Sequence, residues 1–320
     1  MGMIVYNGYN NQTGGVWKMD SEMYRKLVAY SKKPEVQEQT IEYLAEHLGN
    51  FLKPRERVML AFQDQTPGSI CWLMEQAALR INTVPVLWGP DRRWNSLLRQ
   101  TFSSRASAVI GSPLVILGLM KLKKQFKTPL PIRKVITMGY PCPYWMYDGI
   151  VKGLDCEVGG CFSIGESGIV AGFACGHSWG VHLREDLYGV DIVDDCGNLL
   201  PAGEHGEMVI YPKEDPSIRF HMGDRARAII DTCPCGSSSM RLLDMIPGSN
   251  VDPDLYALGQ DLQSWTSILD CRLTRTESGL GVEIVCFPGE KLPKLPTAAK
   301  LVIRPYMPKH DEPFFWYLPR

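Results

Sequence analysis

Cys233-Pro-Cys235-Gly236 places two thiols two residues apart on a tight bend. Thiols so spaced can reach one cation, and zinc favours four thiolate or imidazole donors in a closed tetrahedron. The other two donors must come from elsewhere in the chain. Cys175 and His182 stand in GFACGHSWGVHLRED, with His177 as a competing ligand. The opposing reading is that Cys233 and Cys235 are plain turn and core residues, since a lone C-x-C is a weaker signal than paired C-x-x-C motifs. A redox role is disfavoured, because the chain has no thioredoxin-like C-x-x-C. The remaining cysteines (Cys71, Cys142, Cys156, Cys161, Cys196, Cys271 and Cys286) lack ligand-like spacing and read as small apolar residues in or near the core.

The bulk numbers narrow the setting of this chemistry. Among 320 residues, 34 Lys and Arg face 35 Asp and Glu, so there is no broad positive field to hold nucleic acid or an anionic membrane. No run approaches the roughly 20 apolar residues that span a bilayer. The opening MGMIVYNGYNNQTGG has no basic start followed by an apolar run, so a secretory signal is not expected. Tyr6 stands where a myristoylation site prefers Ser or Thr. A cytoplasmic protein is expected, which favours metal binding or burial over disulfides for its ten cysteines.

The elements that must position these groups follow from periodicity. Apolar residues at spacings of three and four predict helix over 21–52, divided at Pro34. Strands are predicted at 58–62, 83–88, 108–110, 134–138 and, briefly, 156–158. Helices are predicted between them at 68–80, 92–104, 113–126 and 143–153. Such alternation implies an α/β fold with a mostly parallel sheet covered by helices. From about residue 170 the pattern becomes an antiparallel β region, with strands at 190–193, 206–211 and 227–230. Pro247-Gly248 marks a linker, followed by a helix near 255–269 and two or three strands. The expected domains are 1–246, with an antiparallel, zinc-bearing subregion at about 170–240, and a small α+β C-terminal domain at 247–320.

From about residue 56 to 246, four segments in order resemble the phenylacetate–CoA ligase branch of the adenylate-forming enzymes. The strongest runs from Ala174 through Cys175, His182, Glu185-Asp186 and Arg219-Phe220-His221-Met222-Gly223-Asp224 to Cys233-Pro-Cys235-Gly236. The resemblance implies structural zinc on Cys175, His182, Cys233 and Cys235. It implies that Asp224 accepts from the ribose hydroxyls of ATP, chemistry a carboxylate suits; otherwise Gly223-Asp224 is a turn between strands. In CFSIGESG, Phe162 is expected near adenine and Glu166 on a magnesium ion beside the α-phosphate. Gly139, Tyr140 and Pro141 match the turn that contacts adenine, where glycine lets the backbone approach a flat base. Phe62, Trp88 and Met138 are expected to line the acyl pocket, although each aromatic taken singly is more often core.

The implied activity is ATP-dependent activation of a carboxylic acid, aromatic or apolar, with transfer to CoA, a carrier thiol or an amine. The departures from the family are specific. Asn11-Gln-Thr13-Gly-Gly-Val-Trp-Lys18 is the sole counterpart of the phosphate-gripping loop, and a plain turn is an equal reading. The hinge segment reads Pro247-Gly-Ser-Asn-Val251, without its Arg and Asp. Lys300 is the candidate for the catalytic lysine, with Lys294 as the alternative. These losses support a competing reading, a catalytically degenerate ligase-fold protein acting as a scaffold. The aromatic tail, Phe314 to Tyr317, would serve a homodimer contact or fold back on its own domain.

Overall fold

The computed structural model describes residues 7–9, 16–18, 21–164, 167–246, 253–276, 279–294 and 300–314. The first strands, β1 (Asn7–Tyr9) and β2 (Val16–Lys18), form an antiparallel pair of their own. Next come α1 (Ser21–Ser31) and α2 (Pro34–Phe51), divided at Pro34 as the sequence predicts. Proline opens α2 readily because the first helical N–H has no intrahelical acceptor in any case.

The alternating part forms as expected. It comprises β3 (Arg57–Ala61), α3 (Ile70–Arg80), β4 (Val84–Leu87), α4 (Trp94–Ser103), β5 (Ala108–Gly111), α5 (Pro113–Phe126), β6 (Lys134–Met138), α6 (Tyr144–Leu154) and β7 (Glu157–Ser163). Strands β4, β3, β5, β6 and β7 are parallel neighbours. Alternate residues face opposite ways. Met59, Val109 and Val135 join the core under α4, α5 and α6, whereas Val58, Leu60, Ile110 and Ile136 join the core under α2 and α3.

At β7 the direction of pairing changes. β8 (Val170–Phe173), β9 (Val181–Leu183), β13 (Arg241–Ile246), β12 (Phe220–Ile229), β11 (His205–Pro212) and β10 (Tyr188–Val193) extend the same sheet antiparallel, giving eleven strands in all. The sequence reading missed β8, β9 and β13. Two of them are only three and four residues long, and β8 carries Gly172. A Cβ on Gly172 would lie 2.4 Å from the His182 carbonyl oxygen, so this close pairing requires glycine. Strand β7 is longer than the predicted 156–158, because Gly159 and Gly160 conceal its apolar alternation.

The C-terminal unit holds α7 (Pro253–Ser264) and a sheet of β14 (Ile268–Thr276), β15 (Gly279–Cys286) and β16 (Lys300–Pro305). The helix predicted over 255–269 ends at Ser264, because Ile268 and Leu269 are drawn into β14 as buried residues. The unit shares one apolar core with α4, α5 and α6: Leu255, Leu262, Leu273 and Ile284 pack in the same cluster as Leu117, Leu119 and Leu122. Among the described residues, no helix is long and apolar enough to cross a membrane.

Candidate functional site

The antiparallel half of the sheet gathers the predicted donors. His182 lies in β9 between β8 and β13, opposite Phe173 and Arg241. Cys175 follows β8, fixed by the Ala174 N–H donating to the Gly160 carbonyl at 2.8 Å. Cys233 and Cys235 occupy the β12–β13 connection, where the Gly236 N–H donates to the Cys233 carbonyl at 2.8 Å. Pro234 presets the bend, and Gly236, at φ +90°, completes it.

The four donor atoms lie within 4.8 Å of one another. Cys175 Sγ and Cys233 Sγ are 3.7 Å apart, and Cys235 Sγ and His182 Nε2 are 3.4 Å apart. Metal–ligand distances of about 2.3 Å for sulfur and 2.0–2.1 Å for nitrogen give tetrahedral edges of about 3.8 Å and 3.5 Å, so the donors already stand at metal-binding separations. His177, the competing ligand, is exposed and outside the group.

Outer partners orient the donors. Ser239 Oγ lies 3.0 Å from His182 Nδ1, which turns Nε2 toward the sulfurs. Ser178 Oγ lies 3.0 Å from Cys233 Sγ and accepts from Arg241 Nη1 at 2.9 Å; Arg241 also pairs with Asp231. The backbone N–H of Cys235, with the Ser178 hydroxyl next, holds the Cys233 thiol down at about 6. The Ser237 backbone N–H acts to lower the Cys235 thiol as well, but desolvation and the neighbouring sulfurs outweigh it and push that thiol up. A thiolate beside further sulfurs calls for a cation. Sequence reasoning missed Ser178, Ser239 and Arg241, although Ser178 and Ser239 lie within four residues of a ligand in the chain.

Asp224 occupies an irregular stretch of β12. Between Val209↔His221 and Glu207↔Arg225 the pairing shifts, leaving extra residues on β12. Gly223 adopts φ +71° there, and its N–H donates to Glu207 Oε1 at 3.2 Å. Bulges re-aim side chains and recur beside functional sites. The sequence identifies this aspartate but not its bulge. Gly139, at φ +76°, opens the turn after β6, with Tyr140 and Pro141 partly exposed.

Other expectations need correction. Phe162 is buried in the core formed with Leu27, Tyr30 and Val181. Phe62 and Met138 share the core under α2 and α3, but Trp88 packs in the core on the other face, its indole N–H donating to Ser96 Oγ at 3.0 Å. The three therefore do not line one pocket; strand parity separates them. Lys300 begins β16 with its side chain exposed, and Lys294 is also exposed. Thr13, Glu166, the hinge segment and Phe315 to Tyr317 lie outside the described residues. Phe314, the tail aromatic that is described, folds back: its N–H donates to Asp270 Oδ2 at 2.8 Å and its ring stacks beneath Arg272. Cys196, expected near the core, is exposed in the β10–β11 turn, where its N–H donates to Asp194.

No protein-family profile matches the sequence, and no curated protein matches it. Solved structures show the fold: the chain is folded like the adenylate-forming acid ligases. It is similar to 2-hydroxyisobutyryl-CoA ligase in its postadenylation state, at 14% identity and a TM-score of 0.63, over 98% of this chain and 72% of that one. It is also similar to a benzoate CoA ligase from Burkholderia xenovorans LB400, at 12% identity and a TM-score of 0.53, over 85% of this chain and 63% of that one. The anthranilate CoA ligase AuaEII, bound to anthranoyl-AMP, aligns at 12% identity and a TM-score of 0.52, over 80% of this chain and 54% of that one. The chain thus spans between about half and three quarters of the length of these proteins.

Proposed function

We propose that the chain activates a small carboxylic acid with ATP. The carboxylate oxygen attacks the α-phosphorus, an acyl–adenylate bond forms and pyrophosphate leaves. A thiol of CoA or a carrier protein, or an amine, then attacks the acyl carbon and AMP departs. The observation that carries this reading is Asp224, presented on a bulge of β12 within a fold otherwise seen in acid–CoA ligases. In this reading Asp224 accepts from the ribose hydroxyls, and the backbone at Gly139, Tyr140 and Pro141 borders adenine. Thr13 and Glu166 are assigned from the sequence resemblance, to the phosphates and to magnesium. Magnesium would supply charge neutralisation at the α-phosphate.

Phe62, after β3, and Met138, at the end of β6, lie on one face of the parallel sheet on either side of β5; they are the proposed acyl wall and favour an apolar or aromatic acid. We further propose zinc as the ion at Cys175, His182, Cys233 and Cys235. The donor chemistry, closed geometry and outer hydrogen bonds suit a structural site, which would tie the β8–β9 loop to the β12–β13 connection.

Thermal unfolding with and without ATP and Mg²⁺ tests the nucleotide site. The expected result is a rise in Tm above each protein's own unliganded value, which Asp224→Ala removes. No rise in the wild type, or an equal rise in the variant, would defeat the assignment. The hinge segment Pro247-Gly-Ser-Asn-Val251, without its Arg and Asp, favours a second reading, a ligase-fold scaffold without turnover, which predicts no acid-dependent chemistry.

A further inference from the structure

Arg241 opens β13, and its backbone stands opposite His182 of β9 on one side and Ile229 of β12 on the other. Its side chain is only 9% exposed, although a guanidinium is always charged and costly to remove from water. One partner is Asp231, whose side chain is 59% exposed, so water screens much of that carboxylate's charge. The other partner is neutral: Arg241 Nη1 donates to Ser178 Oγ at 2.9 Å. Arg241 Nε is buried with no hydrogen-bond partner among the described residues. A screened carboxylate and a neutral hydroxyl are poor compensation for a buried cation.

The direction of the next bond follows from the donor chemistry. Arginine has no acceptor atom, so the Ser178 oxygen accepts from it, and the single hydroxyl hydrogen is left to donate elsewhere. Cys233 Sγ stands 3.0 Å from that oxygen, whereas Cys175 Sγ is 4.0 Å away. The bonds therefore run from guanidinium through hydroxyl to the Cys233 sulfur. The backbone permits this closure at Gly180, which has φ +100° and lets the β8–β9 loop lie against β13. A Cβ there would come 2.7 Å from the Leu242 carbonyl oxygen.

Charge makes the purpose of the arrangement plain. Three thiolates and a neutral imidazole around a divalent ion leave one net negative charge. Cys233 and His182 are buried, so water screens that excess poorly. We propose that Arg241 is the counter-cation of the metal–thiolate centre, acting through Ser178 on the Cys233 sulfur. It is a positioning residue that holds no metal itself. Ser178 fixes the sulfur and the guanidinium balances the excess charge. This inference rests on the proposed metal site and is independent of the proposed acid activation.

Cobalt(II) binding to the metal-free full-length protein tests it with two readouts, affinity in competition with a chelator and the energy of the thiolate-to-cobalt charge-transfer band. The wild type is expected to take up a stoichiometric amount. Arg241→Met and Ser178→Ala are each expected to weaken binding at least about 10-fold. Each should also move the band to lower energy, because a sulfur that loses a hydrogen-bond donor gives up charge more readily. The double variant should bind about as weakly as the weaker single variant, since residues acting as one chain are not additive. Arg227→Met removes an exposed cation of β12, the partner of Asp244, and should change neither readout. Should Arg241→Met fail to fold, Ser178→Ala decides by the same readouts. A loss of less than about 10-fold, an unmoved band, fully additive losses in the double variant or an equal loss in Arg227→Met would each overturn the inference and leave the metal site standing. A wild type that takes up no cobalt would overturn both.

Discussion

At the antiparallel end of the large sheet, two loops converge on four donor atoms within 4.8 Å. On the outer side of α5, a whole layer of helix and sheet converges on one buried ammonium. Both regions fasten a late part of the chain to the parallel core, by different physics. In the proposed metal site the cation orders these loops, beside the packing of Trp179 on Tyr144 and Tyr147. The C-terminal layer depends on apolar area, and Lys121 gives that area its register. A metal site of this kind fails all at once when a ligand or the ion is lost, whereas an apolar interface weakens in proportion to what is removed.

The largest effect should therefore come from the first region. Cys233→Ala is expected to abolish stoichiometric metal, measured by elemental analysis, and to cost about 3 kcal/mol or more of stability. Chelation of the wild type should lower Tm comparably, while His177→Ala should change neither. Metal retention also has a pH signature. Cys233 has its thiol held at about 6, below the ordinary thiol range, so protons begin to compete at that ligand only as pH falls through 6. Cys235, its thiol pushed up, must release a proton on binding, so titration with a competing chelator should show affinity falling across the neutral range and more steeply below about 6.

A smaller effect is expected at the second region. Lys121→Met removes a buried charge but strands two carbonyls, and should cost about 1–3 kcal/mol in denaturant unfolding. Desolvation lowers Lys121 to about 8 from its ordinary 10.5. Between these values the unfolded chain binds more protons at this residue than the folded one, so its contribution to stability rises with pH from 8 to 10.5. The stability gap between the wild type and Lys121→Met should widen across that window. The smallest effect is expected for Trp145→Phe, which keeps most of the packing, loses one hydrogen bond to Gln260 and should cost about 1 kcal/mol or less. If metal removal proved milder than Trp145→Phe, the contrast between the two regions would be wrong.

The two regions also differ in how far the sequence reveals them. Cys233 and Cys235 signal a metal site only weakly by spacing, the resemblance adds Cys175 and His182, and the four donors do converge. The contact between α5 and the C-terminal unit has no such vocabulary. Pro113 to Met120 reads as a helix from its length and apolar run, but periodicity does not tell which elements cover its two sides. The apolar runs of the parallel half were legible, while β8 and β9 were too short or interrupted by glycine, and β13, RLLDMI, has charged Arg241 and Asp244 within it. Phe62, Met138 and Trp88 each read as pocket or core; only the strand parity of the folded sheet separates them. Asp224 is singled out by its flanking residues, and the bulge on which it stands is visible only in the fold.

Acid-dependent exchange of labelled pyrophosphate into ATP, by metal-replete protein, tests the proposed activation most directly. The prediction is exchange with at least one member of a panel of benzoate, anthranilate, phenylacetate and short hydroxy acids, reduced by about 10- to 100-fold in Asp224→Ala, as the loss of a charge-assisted hydrogen-bond pair would produce. Absence of exchange with every acid, from protein whose four-donor site is filled and whose fold is intact, would contradict it.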